Sequence, residues 1–144
     1  MKLCVKEIAK INSGYTFRAK IEHKPKGEVA LIQLRNLSNS YEQIDYSSLW
    51  QVDEDAIPEK YYLSGREVLF VAKGSRNKAI AVEKSGKLNL AASATFFILE
   101  ADLEKITSEF LAWSLNQPTA QSYFDSTRSG TSTQNVNKEV LKNL

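Results

Sequence analysis

Apolar positions along the chain change period several times, and each change marks an element. Cys4, Ile8 and Ile11 recur at i, i+4 and i+7, with Val5 and Ala9 beside them, and predict a short amphipathic helix closed by Ser13 and Gly14. Tyr15 to Lys20 alternates aromatic, hydroxyl and basic side chains and predicts an extended segment; His23-Lys24-Pro25-Lys26-Gly27 then predicts a charged loop. Val29 to Leu34 has the length and residue types of a strand and delivers Arg35 and Asn36 at its far end. From Ser38 to Tyr62 the chain is polar, acidic and aromatic-rich, with Trp50, Val52 and Ile57 as apolar anchors, which predicts an irregular excursion.

The next stretch is a hairpin with a basic tip. Val68 to Ala72 is apolar at every position, so the strand is expected inside the fold with both faces covered. Lys73, Gly74, Ser75, Arg76, Asn77 and Lys78 form its turn, and Ala79 to Val82 the returning strand. Ser85-Gly86-Lys87 is a second turn, and Leu88 to Leu99 predicts one long strand. Its first half is small (Ala91, Ala92, Ser93, Ala94), which lets another backbone approach. Thr107 or Ser108 caps a helix whose stripe, Ile106, Phe110 and Trp113 with Leu111 and Leu115, predicts core. Pro118 suits the first position of a further helix that turns Ala120, Tyr123 and Phe124 inward. Residues 126–135 are polar throughout, and Asn137 caps a last helix with Val136 and Leu141 as a hydrophobic staple.

Composition narrows the class. A chain of 144 residues, 42% apolar, is long enough for one domain with a real core and is read as a single domain over residues 1–144. The net charge of +2 is modest, but its distribution is segregated: basic around Lys2 to Lys26, acidic from Glu42 to Glu59, basic again from Arg66 to Lys87. A chain segregated in this way can present one basic and one acidic face, and whether the two basic segments meet in space is not set by the sequence. The lone cysteine, Cys4, fits a reducing compartment, and no apolar run approaches the roughly 18 residues of a membrane span. A soluble, cytoplasmic protein without a membrane association is expected.

Catalytic chemistry finds few carriers. His23 is the one histidine and sits among lysines, which disfavours a metal site or a triad. No Walker A or Gly-x-Gly-x-x-Gly sequence occurs, nor the Asn-Pro-Pro-aromatic motif of amino-methyltransferases. Glu22-His23-Lys24 is the one Glu-x-Lys triplet of the nuclease type, and no Asp precedes it. No cofactor is expected. Binding chemistry is better represented: Lys73, Ser75, Arg76, Asn77 and Lys78 on the hairpin turn, Tyr15, Arg18, Lys20 and Lys24 in the first basic segment, and Arg128, Ser129, Thr131, Gln134 and Asn135 in the polar loop. Such side chains suit phosphates and base edges. The plain alternative for each is a solvated turn.

Laid out in order, these elements resemble the target recognition domain of type I restriction-modification specificity (S) subunits. The resemblance rests on Ile11-Asn12-Ser13-Gly14-Tyr15-Thr16-Phe17 after an opening helix, the strand Ala30 to Leu37, and Leu63-Ser64-Gly65-Arg66-Glu67-Val68-Leu69-Phe70 running into Lys73-Gly74. It continues through Phe96 to Leu99 and Phe110 to Leu115, and closes on Gly130-Thr131-Ser132-Thr133-Gln134-Asn135-Val136-Asn137-Lys138-Glu139-Val140-Leu141. Where the family often has Gly-Asp before the central strand, this chain has Gly65-Arg66-Glu67. An S subunit usually carries two such domains joined by long helices that grip the modification subunits, and this chain corresponds to one. The resemblance implies an α+β fold, a twisted, partly closed, mainly antiparallel sheet with flanking helices. It also implies recognition of half of a bipartite site on double-stranded DNA, with catalysis left to the modification (methyltransferase) and restriction subunits, and pairing with a second recognition domain. The rival readings are a protein-interaction module built on the acidic-aromatic segment 41–62 and, further off, a stand-alone nuclease.

Overall fold

A computed structural model describes residues 4–17, 20–73, 76–84, 88–127 and 136–144. In chain order the elements are α1 (Val5–Ile8), β1 (Ala9–Ser13), β2 (Val29–Ile32), β3 (Trp50–Val52), β4 (Glu67–Val71), β5 (Ala79–Ala81), β6 (Asn89–Ala92), β7 (Phe96–Ala101), α2 (Ser108–Leu115), α3 (Pro118–Thr127) and α4 (Lys138–Lys142). The strands form two open sheets: a four-stranded antiparallel one ordered β1-β7-β4-β5, and a three-stranded one ordered β3-β2-β6, in which β2 pairs antiparallel with β3 and parallel with β6. The class is α+β, as expected.

β4 is one of the two inner strands of the larger sheet, and all five of its residues are buried. Val68 and Phe70 face Leu99, Leu111, Leu115, Phe124 and Leu141 on the helical side; Leu69 and Val71 face Ile32, Leu90 and Phe96 on the other. Burial of a large apolar side chain contributes about 1.5–3 kcal/mol, so a strand covered on both faces is held firmly. A third cluster, Val29, Leu31, Val52, Ile57 and Ala91, anchors the 38–62 excursion, whose backbone is otherwise a chain of 3-10 turns around the short strand β3.

The turn into β4 is built by a carboxylate. Glu67 is buried, and its side chain accepts hydrogen bonds from the backbone N–H groups of Ser64, Gly65 and Arg66 at 2.8, 2.9 and 3.0 Å. Gly65 sits at φ +97°, where a side chain would be strained. The acid of the Gly-Arg-Glu sequence thus has a structural task.

Three elements differ from the sequence expectation. The helix expected over Cys4 to Ile11 is one turn, and Ala9–Ser13 pairs with β7 instead. Ala9 and Ile11 are buried with exposed Lys10 between them, a period of two that satisfies strand as well as helix spacing. The run Leu88 to Leu99 is two strands, broken at 93–95 as the chain passes from one sheet to the other. The small residues do admit a backbone: Tyr15 N–H donates to Ala92 O at 2.9 Å and Ala94 N–H to Tyr15 O at 3.0 Å. A Cβ on Gly14 would stand 2.0 Å from Ser93 O, so the glycine is required by close approach.

The third difference concerns α2. Thr107 caps it as expected, its Oγ1 accepting from Phe110 N–H at 3.1 Å. The inward stripe, however, is Ser108, Leu111, Ala112 and Leu115, while Phe110 and Trp113 are 56% and 57% exposed. Ser108 takes the inward phase because its hydroxyl donates to Arg66 O on the turn before β4. The cap of α4 holds as expected: Asn137 Oδ1 accepts from Val140 N–H at 2.8 Å, and Val136 and Leu141 lie in one cluster.

Candidate nucleic-acid interface

The hairpin turn between β4 and β5 divides its side chains between inside and outside. Lys73 and Arg76 are exposed and Lys78 is half-buried. Asn77 is fully buried: its Nδ2 donates to Val71 O at 2.9 Å, and its carbonyl accepts from Gln121 Nε2 at 2.9 Å. Asn77, expected from sequence among the DNA contacts, thus lies inside the turn and locks the backbone that presents its neighbours. The edge of β5 is satisfied by Asn116, whose side-chain amide exchanges two hydrogen bonds with the backbone of Ala79, at 2.7 and 2.8 Å. A side chain in place of a fifth strand closes that edge.

Arg76 reaches a second element. Its Nη1 donates to Asn39 O at 2.6 Å, and its guanidinium carbon lies 5.6 Å from the centre of the Tyr41 ring. Residues 37–44 form a tight loop: Leu37 and Ile44 pair as an antiparallel bridge, Ser38 N–H donates to Gln43 O at 2.9 Å, and Ser38 Oγ accepts from the N–H groups of Glu42 and Gln43 at 3.2 Å. Tyr41 has φ +59°, an uncommon conformation for an aromatic residue.

At the end of β2 nearest this loop, Arg35 lies over Trp50 with its guanidinium carbon 3.9 Å from the ring centre. Asn36 is buried and ties β2 to the excursion, its Nδ2 donating to Ser48 O at 3.1 Å and to Ser48 Oγ at 2.9 Å. His23 stacks on Trp50 at 6.1 Å and accepts from Gln51 N–H at Nδ1, which leaves the proton of a neutral imidazole on Nε2. Trp50, an anchor by sequence, is half-buried and carries these two groups on its ring. The sequence showed neither that stack nor the bend at Tyr41.

The first basic segment stands elsewhere. Tyr15, Lys20 and Lys24 border a hollow with Val52 and Asp53, at the other end of β3. Tyr15 is committed to packing, edge-on to Phe17 at 4.9 Å and Tyr61 at 5.0 Å. Lys24 pairs with Asp53 at 2.8 Å, and this hydrogen bond raises its pKa. Nearby, burial raises the pKa of Tyr62, helped by the charges of Glu54, Glu59, Glu28 and Asp55. That end is acidic, and Lys24 is charge-paired there with Asp53. Arg18, Ser75 and the loop candidates Arg128, Ser129, Thr131, Gln134 and Asn135 lie outside the described residues, as do the turn at 85–87 and Gly130.

Another hollow, of about 830 Å³, is apolar and bordered by Val5, Ile8, Leu103, Ile106 and Phe110. None of the cationic candidates described here lines it.

No protein-family model matches the sequence, and no curated protein matches it. Among solved structures, the crystal structure of a type I restriction-modification system S subunit from M. genitalium superposes on 99% of this chain with a TM-score of 0.60 at 15% sequence identity. The chain spans 32% of the length of that subunit.

Proposed function

We propose that this chain is a target recognition domain of a type I restriction-modification specificity subunit, reading one half of a bipartite site on double-stranded DNA. The observation that carries the reading is the fold likeness to an S subunit over 99% of the chain. Surface chemistry supports it: exposed Lys73 and Arg76 on a turn pinned by buried Asn77 suit phosphate contact. The polar loop Arg128 to Asn135 is the proposed source of base discrimination, where Arg128 would hold a guanine edge and Gln134 or Asn135 an adenine edge, each worth about 1–3 kcal/mol against the wrong base. In this reading the chain is not an enzyme. Modification subunits methylate, restriction subunits reached through them cut, and a second recognition domain reads the other half of the site.

The test is a titration of duplex DNA with the chain assembled on its modification subunits, across salt concentrations. Binding whose logarithm falls linearly with the logarithm of salt is expected, and Lys78→Ala lowers that slope by roughly 0.9 while weakening all duplexes alike. Absence of duplex binding at low salt contradicts the proposal.

A further inference from the structure

We infer that Arg35 and Arg76, each laid on an aromatic ring, form one preorganised pair of guanidinium donors that receives adjacent phosphodiesters of a DNA backbone; this rests on the DNA-recognition reading above. The two arginines are 41 positions apart by their numbers and follow strands of different sheets, yet they border the same hollow, of about 540 Å³, together with Ser38, Asn39 and Tyr41. Each guanidinium is held from two sides. Arg35 has the Trp50 ring beneath it at 3.9 Å and donates Nε–H to Gln33 Oε1 at 3.1 Å. Arg76 has Tyr41 at 5.6 Å and donates Nη1–H to Asn39 O at 2.6 Å. An arginine fixed in this way loses little rotamer freedom on binding, and its remaining N–H groups keep the fork geometry that matches two phosphate oxygens.

Those remaining N–H groups have no acceptor among the described residues. Among the described residues neither arginine has a carboxylate partner, whereas Lys24, Lys105 and Lys142 pair with Asp53, Asp102 and Glu139. Asp45, which borders an adjoining hollow with Arg35, uses Oδ1 to accept from the Ser47 N–H and hydroxyl. The Tyr41 platform exists only because the 37–44 loop holds an aromatic residue at φ +59°, a conformation that local hydrogen bonds to Ser38 maintain. A concave site rimmed by two cations fits the convex ridge of a phosphate backbone. A base edge lies inside a groove and needs a protruding side chain instead.

The experiment uses Trp50 as its own reporter. Trp113→Phe leaves it as the single tryptophan of a chain that has two. Duplexes of unrelated sequence are titrated at several salt concentrations, with the chain alone and with modification subunits. Bound DNA should change Trp50 emission. Arg35→Ala and Arg76→Ala should each weaken every duplex roughly tenfold and lower the salt slope by about 0.9. Arg35→Lys keeps the charge but not the fork; it should keep the slope and lose about two- to fivefold. Circular dichroism melting of each variant separates these effects from unfolding. Duplex binding with silent Trp50 emission and unchanged slopes in both alanine variants overturns the inference and leaves the recognition reading standing. Loss of discrimination at one base pair, with affinity for other duplexes retained, also overturns it, in favour of a guanine edge. Failure of the unsubstituted chain to bind any duplex in either form overturns both.

Discussion

Asn77 and Lys78 are adjacent in sequence and opposite in task. Replacing Asn77 by Ala leaves Val71 O, inside the fold, without the side-chain donor that now satisfies it. The expected cost is about 1–3 kcal/mol, read as a lower urea midpoint; an unchanged midpoint contradicts the structural role. Lys78→Ala, by contrast, should act on DNA and scarcely on stability. Tyr46 offers a pH signature: burial raises its pKa while its hydroxyl oxygen accepts from Glu83 N–H at 2.8 Å. Because the folded state holds the phenol proton more tightly, the unfolded state releases it first. The contribution is complete below the ordinary value of about 10 and is lost as pH rises through the folded value. Tyr46→Phe should therefore show a shallower fall of urea midpoint between neutral pH and about pH 10.5 than the parent chain. An identical fall in both would remove Tyr46 as its source. Lys24 carries the same sign through Asp53, but both are exposed and the effect is screened.

At the scale of elements, α2 shows how a stripe can be legible and its phase not. Ile106, Phe110 and Trp113 satisfy helical spacing as well as Leu111 and Leu115 do. The choice between them was made by Ser108, whose hydroxyl donates to Arg66 O, a contact 42 positions away that no local pattern displays. Leu111→Ala should cost about 2–5 kcal/mol, whereas Phe110→Ala should cost only about 0.5–1 kcal/mol through its stack on Trp113. Equal losses in a thermal melt would restore the sequence reading of the stripe. The β4 hairpin was readable because the apolar run Val68 to Ala72 is too short for a helix and is followed by a Gly-containing turn, which suits a strand covered on both faces. The caps at Thr107 and Asn137 were readable because capping is local chemistry. β1 was not, since Ala9 and Ile11 serve either period and the need of β7 for a partner decided the matter. The candidate site was legible as residue types and not as a place. Arg76 was visible on a turn, while its joining with Arg35 depends on a loop whose Tyr41 takes a backbone conformation that sequence rules reserve for Gly or Asn.

Over the whole molecule, the acidic block divides, with Glu42 and Asp45 on the side of Arg35 and Arg76 and Asp53, Glu54 and Asp55 at the other end of β3. The later end of that strand carries Lys24 against Asp53, with Glu54 and Asp55 following, and its beginning carries Trp50 under Arg35, near the loop that Arg76 reaches. Among the described residues, Lys20 and Lys24 of the first basic segment border a different hollow from Arg76 of the second, which Arg35 joins instead. On the recognition reading, the isolated chain should neither cut nor methylate plasmid DNA in the presence of magnesium and a methyl donor, and turnover that co-purifies with the protein would contradict it. The most direct measurement of the central claim is a domain exchange. An intact assembly carrying this chain as one of its two recognition domains, and a control with another domain in its place, each select from random duplex DNA. The account predicts two bipartite motifs that share one half and differ in the other, with spacing retained. Motifs identical in both halves, or selection without any motif, would contradict it.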